Sequence, residues 1–163
     1  METGTTKRYK IRQIKPEEVY VSILTGRLVQ NEKGWSRIEP IKRKIRPSGS
    51  MLIDVLVDVL MHTRYRLPLS VAELMEVDRL ELSISIHLLT GLTLREFIEQ
   101  YRLLEAKEYL SCTSLSLKEV AIRCGFASQT TFGQHFQAAV KMTPGLYRRH
   151  NRPKDYQLQY RWE

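Results

Sequence analysis

The sequence predicts a mainly α protein: two helix-turn-helix subdomains joined by a long connecting helix, with a small β-sheet formed by the N- and C-terminal extensions. Three observations carry that prediction. Capping signatures recur ahead of apolar runs with helical spacing, at Asp78 with Glu81, Thr93 with Glu96 and Ser116 with Glu119. A Gly125-Phe126 pair separates two short helical patterns. Near the C-terminus Tyr156, Leu158, Tyr160 and Trp162 alternate with Gln157, Gln159 and Arg161, the period-two pattern of a strand. The chain then divides into a basic extension at 1–47, a first, divergent helix-turn-helix subdomain at 48–92, the connecting helix at 93–112, a second helix-turn-helix subdomain at 113–150, and a C-terminal extension at 151–163.

Lys7 to Ile14 and Val19 to Leu28 are β-compatible. A lone strand needs a partner, so these stretches are expected to pair with the terminal one. A strand exchanged between subunits, or a frayed tail, fits the same pattern. Pro47-Ser48-Gly49-Ser50 breaks the chain before the first helix. In that helix Asp54, Asp58 and His62 lie four apart among apolar residues, which is helix periodicity. The three form either a solvated stripe or, less economically, a metal site. Pro68 suits the first position of a helix running to about Val77, and Asp78 opens another to about Leu89. This second helix has an inward set, Leu82, Ile86 and Leu89, and a separate apolar stripe, Leu80, Ile84 and Leu88. A helix apolar on both sides is usually covered on both sides. Thr93 opens the connecting helix, with Leu94, Phe97, Ile98, Tyr101 and Leu104 on its buried line.

The second motif is the more informative. Ser116 and Glu119 cap a helix carrying Val120, Ala121 and Cys124 inward, and Gly125 can take the left-handed conformation that ends it. Ser128 caps the next helix, in which Phe132, Phe136 and Val140 face inward beside Phe126. Gln129, Thr130, Gly133, Gln134 and Gln137 are left outside. Gly133 costs about 1 kcal/mol against alanine in a helix interior, which points to close approach by something such as a DNA backbone. Thr143-Pro144 opens a last, basic helix. Two helices about a tight turn, the second presenting amides and hydroxyls, are a means of reading base edges in a DNA groove.

Glu119, Val120, Ala121, Gly125-Phe126, Phe132, Phe136, Thr143-Pro144 and Tyr147-Arg148 resemble, at matching spacing, the second helix-turn-helix of the AraC family of bacterial transcription regulators. Arg102-Leu103, Ala106 and Leu110 extend the resemblance through the connecting helix, and it reaches back to about Ser50. Three positions depart from the family pattern. Lys141 stands where glycine is usual, so the final turn is expected to be made differently. Glu76 replaces the turn glycine of the first motif, and Ile84 stands where a basic residue is common. The resemblance implies a sequence-specific DNA-binding regulator without catalysis, cofactor or metal. Spanning roughly 25 Å, the connecting helix would hold two reading heads on one side of a duplex whose major-groove faces recur about every 34 Å.

On that reading Gln129, Thr130 and Gln134 are the candidates for base edges, since glutamine can pair bidentately with adenine. Arg79, Ser128, Thr131, His135, Arg102, Arg123, Lys141, Arg148 and Arg149 are further candidates, for phosphate contact, packing or surface charge. Leu80, Ile84 and Leu88 are a candidate partner surface, or in the case of Leu80 a contact to thymine methyls. Double-stranded DNA is the expected partner, with RNA polymerase or another regulator as protein partners. Lys42, Arg43, Lys44 and Arg46 form either a DNA-contacting arm or a solvated linker.

Charge agrees with an anionic partner. The net charge is +8, with net +7 over residues 1–47, −4 over 48–116 and +5 over 117–163. Cys112 and Cys124 form no C-x-x-C and no zinc spacing, and are expected as thiols in a reducing cytoplasm. No signal-peptide core or membrane-length apolar run occurs, so a soluble cytoplasmic, nucleoid-associated protein is expected. About 47 residues before the first motif are too few for a ligand-binding sandwich, so small-molecule sensing is not expected. An interaction module docking through the first motif is the alternative function. RNA binding by the terminal sheet has weaker support, and no phosphate-cradling loop, G-x-S-x-G or H-E-x-x-H supports an enzyme.

Overall fold

Two apolar cores strung along one long helix organise the molecule, which a computed structural model describes over residues 10–64 and 67–162. The elements are α1 (Pro16–Val19), β1 (Gly26–Gln30), β2 (Ser36–Pro40), α2 (Met51–His62), α3 (Pro68–Leu74), α4 (Arg79–Thr90), α5 (Leu94–Cys112), α6 (Leu117–Arg123), α7 (Gln129–Val140), α8 (Pro144–Asn151), α9 (Tyr156–Gln159) and β3 (Tyr160–Arg161).

The connecting helix α5 feeds both cores. Its first half gives Leu94, Phe97, Ile98 and Tyr101 to a core with Ile53, Leu56, Val57 and Leu60 of α2, Val71 and Ala72 of α3, and Leu82 and Ile86 of α4. Its second half gives Ala106 and Leu110 to a core with Val120, Ala121, Cys124, Phe126, Phe132 and Phe136. Leu104, expected on the buried line, is only partly buried; Arg102 and Glu105 lie buried instead. Phe126, Phe132, Phe136 and Tyr147 stack edge-on in sequence with centroids 5.2–5.6 Å apart, a geometry that adds to their area burial.

The expected caps form. Thr93 and Ser116 each accept a hydrogen bond from the third helical amide, and Glu96 and Glu119 reach back to the cap's own N–H. Asp78 accepts from Leu80 and Glu81, Ser128 from Thr131, and Thr143 from Leu146. Asp54 accepts from the Ser48 N–H at 2.9 Å and so fixes the turn before α2, while Asp58 and His62 stay exposed.

A three-stranded antiparallel sheet of order β2-β1-β3 does join the two extensions, but its extent differs from expectation. Lys7 to Tyr9 lie outside the described residues, and Lys10 to Ile14 form no strand; Ile14 instead enters the first core and donates its N–H to Leu89. Pro16 starts a helical turn, which Glu18 closes by accepting from the Lys15 N–H, so the strand begins only at Gly26. Its main partner, β2, was not anticipated. Asn31 Oδ1 accepts from the N–H groups of Lys33 and Trp35, and Gly34 takes φ 79°, which turns the chain into a hairpin. At the other end Tyr156–Gln159 wind into a helical turn, with Gln159 bonded to Asp155 and Arg152 over the Tyr156 ring, leaving only Tyr160–Arg161 to pair with Gly26 and Arg27. The alternation of aromatic and polar residues is therefore not a strand signature at Tyr156–Gln159.

Candidate nucleic-acid interface

The two helix-turn-helix units are built alike. α3 and α6 have seven residues each, and α4 and α7 have twelve each, fifty positions apart. A residue in left-handed conformation ends the first helix of each pair, Glu76 at φ 54° and Gly125 at φ 77°. Another ends the second, Gly91 at φ 73° and Lys141 at φ 62°. The expectation that Lys141 forces a different turn is thus corrected. Its backbone adopts the conformation that glycine would take, and its ammonium donates to the Ala138 carbonyl at 2.8 Å.

On α7, Phe132 and Phe136 are anchored in the second core, while Gln129, Thr130, Gln134 and Gln137 are exposed, and their side chains hydrogen-bond to no other described residue. Gly133 lies on the same face, and a Cβ added there would meet nothing within 4 Å. This is an uncharged face of donors and acceptors on a rigid support. Ser128 and Thr131 are exposed at its start but occupy each other: Ser128 Oγ accepts from the Thr131 N–H at 3.1 Å and lies 3.0 Å from its hydroxyl. His135 points elsewhere, packing on Phe126 with centroids 5.5 Å apart and placing Nε2 3.6 Å from Glu99 of α5. It fixes α7 against the connecting helix.

The corresponding face of α4 has different chemistry. Fifty residues before Thr130, Gln134 and Gln137 stand Leu80, Ile84 and His87. Leu80, Ile84 and Leu88 are 68%, 61% and 57% exposed, so the second apolar stripe is uncovered among the described residues. The terminal sheet packs elsewhere, with Ile23, Leu24 and Cys112. Arg79, at the start of α4, is exposed.

Of the basic candidates, Arg102 is corrected outright. It is 2% exposed, pairs with Glu105 at 2.7 Å and donates to the Thr63 carbonyl, so it cannot meet a phosphate. Burial pushes the Glu105 carboxyl above its ordinary range, with Arg102 opposing. Arg148 is half-buried and donates to the Leu110 carbonyl in the last turn of α5 and to the Leu115 carbonyl in the connection to α6. Arg123 lies over the Trp162 ring, 5.0 Å from its centroid. Lys141 and Arg149 remain exposed beside α7 and on α8. A feature without local signature is a cleft of about 150 Å³ where Arg43, Arg64 and Arg123 meet around the Arg102–Glu105 pair. Five chain segments assemble it, so no spacing in the sequence reveals it.

Residues 71–150 match the model of a helix-turn-helix domain family. The transcriptional activator RhaR of Enterobacter sp. (strain 638) is 38% identical over 63 residues, 39% of this chain and 22% of its own length. The chain spans less than half the length of the first three curated relatives it matches. Among solved structures, the C-terminal domain of AraT, a response regulator from Geobacillus stearothermophilus, aligns with TM-score 0.59 and 27% identity, covering 66% of this chain and 91% of that one. The DNA-binding domain of AdpA, a global transcriptional factor solved in complex with a target DNA, aligns with TM-score 0.55 and 27% identity, covering 61% and 90%. With the paired helix-turn-helix units and the long connecting helix, these likenesses show that residues 71–150 of this chain form a helix-turn-helix DNA-binding domain of the AraC family.

Proposed function

We propose that α7 enters the major groove of a specific duplex DNA site and reads base edges with Gln129, Thr130 and Gln134. The carrying observation is that, among the described residues, their amide and hydroxyl groups are exposed and unspent, on a helix whose opposite face is locked by Phe132 and Phe136. Lys141 and Arg149 hold phosphates beside it, and the bare backbone at Gly133 lets the helix sit close. Residues 113–150 are then the principal reading head. Residues 48–92 are a second unit whose α4 presents Leu80, Ile84 and Leu88 to thymine methyls or to a protein partner, RNA polymerase or another regulator. The exposure of that stripe supports the second role. A cytoplasmic, nucleoid-associated location follows from this reading.

Selection of bound duplexes from a random pool, repeated with Gln134→Ala, tests it. The variant should lose about 1–3 kcal/mol at one preferred base pair and little on random duplex. Equal losses on both sink the assignment. Arg149→Ala should weaken all sequences alike and flatten the salt dependence by about one unit.

A further inference from the structure

The hairpin's outer strand has a free edge with a pattern of its own. Backbone bonds join Asn31 with Trp35 and Thr25 with Ile41 in the register that pairs Leu28 with Ile38. Antiparallel pairs alternate between bonded and unbonded, so the groups of Arg37 and Glu39 point into the sheet. Those of Ser36 and Ile38, and the carbonyl of Pro40, point away from it. No described residue pairs with that edge. Trp35 is 76% exposed at the hairpin end, and Leu28 and Ile38 form an exposed cross-strand pair.

We propose that this edge joins two copies of the chain, β2 against β2 in antiparallel fashion about a two-fold axis at Ile38, making one six-stranded sheet. Charges on an edge ordinarily discourage pairing. Here Arg37 and Glu39, which within one copy form an exposed ion pair at 2.6 Å that can be exchanged for the pairs across the axis, are opposite in sign and symmetric about Ile38. In that register alone Arg37 faces Glu39 of the second copy and Glu39 faces its Arg37, at the unbonded positions where side chains lie closest. A shift of two residues either way sets Arg37 against Arg37 or Glu39 against Glu39. Ile38 exchanges both backbone bonds with its own copy, and Ser36 donates to the Pro40 carbonyl, so the missing proline N–H costs only one bond at each end. Leu28, Ile38 and their counterparts form one apolar row across four strands, and Trp35 comes over Ile41 of the second copy. The symmetric matching of charge, apolar surface and free backbone groups identifies the occupant as a second copy.

Sedimentation equilibrium of the full chain tests this without DNA. The unaltered chain should shift from monomer toward dimer by about 100 µM. Arg37→Glu or Glu39→Arg alone sets like charges opposite twice and should weaken association about tenfold or more. Mixing those two variants should restore a dimer containing one copy of each, visible by native mass spectrometry. As a check independent of folding changes, Ile38→Cys should oxidise to a disulfide-linked dimer, since Cys112 and Cys124 are buried. A chain monomeric at that concentration, single variants that dimerise as well as the unaltered chain, or no cross-link at Ile38→Cys would each overturn the proposal.

Discussion

Lys141 and Glu76 hold backbone conformations that cost a side-chain-bearing residue about 1–2 kcal/mol, and glycine little. Glycine returns part of that gain through its freer unfolded chain. Lys141→Gly and Glu76→Gly should therefore each stabilise the fold by about 0.5–1 kcal/mol in denaturant titrations. Lys141→Gly should also weaken DNA binding if the ammonium meets a phosphate, whereas Glu76→Gly should not. Gly133 gives the opposite split. Alanine there meets open space and should raise stability by about 1 kcal/mol. If a DNA backbone approaches this position, the same change lowers affinity, and unchanged affinity removes the close-approach argument. Residue identity alone misled at Lys141, because the turn is imposed by Thr143 and Pro144 capping the next helix two residues on. It misled at Arg102 as well, since a lone arginine on a helical wheel does not show that Glu105 will be buried beside it.

The helices were legible because their boundaries are local: a hydroxyl or carboxylate cap, an apolar stripe and a left-handed stop lie within one turn of each other. Glu96 and Glu119 make this measurable. Their hydrogen bonds to Thr93 and Ser116 hold both carboxyls below the ordinary glutamate range. With a lowered folded pKa the unfolded chain binds more protons, so this stabilisation is complete above the unfolded value near 4.5 and is lost as pH falls through the folded values. Glutamine keeps the capping geometry without titrating. The double change Glu96→Gln, Glu119→Gln should leave neutral-pH stability nearly unchanged and make urea midpoints less dependent on pH below about 4.5. An unaltered acid limb would show that the boxes do not set it. The outer faces of α4 and α7 were equally legible, since each side chain's direction follows from helical period. What covers a face is a matter of tertiary placement, and the expectation that a helix apolar on both sides is covered on both sides failed at Leu80 and Ile84 among the described residues.

At the scale of the whole molecule, Glu108 of α5 ties the N-terminal segment to the helical body. Its carboxylate accepts from the Tyr20 and Ser22 hydroxyls, each at 2.6 Å, and from the Ile23 N–H at 2.9 Å. Tyr20 lies edge-on to Tyr101 with centroids 5.3 Å apart, and burial raises its hydroxyl pKa. These partners stand 85 to 88 positions apart in the chain, which is why the sheet's existence could be argued from composition while its seat could not. Once Ile23 is held, Leu24 and Ile41 pack with Tyr160 and Trp162, and β1 is presented to β3. Glu108→Gln keeps the volume but replaces one acceptor oxygen by a donor facing donors. Because hydrogen bonds to a charged group are worth about 1.5–3 kcal/mol, the change should cost about 2–3 kcal/mol. The loss should be local: hydrogen exchange at Ile23 and through β1 should accelerate, while the amides of α7 keep their protection. Uniform acceleration through α7 would mean that the extension and the reading head unfold as one cooperative unit, and that this carboxylate supports the DNA-binding surface directly.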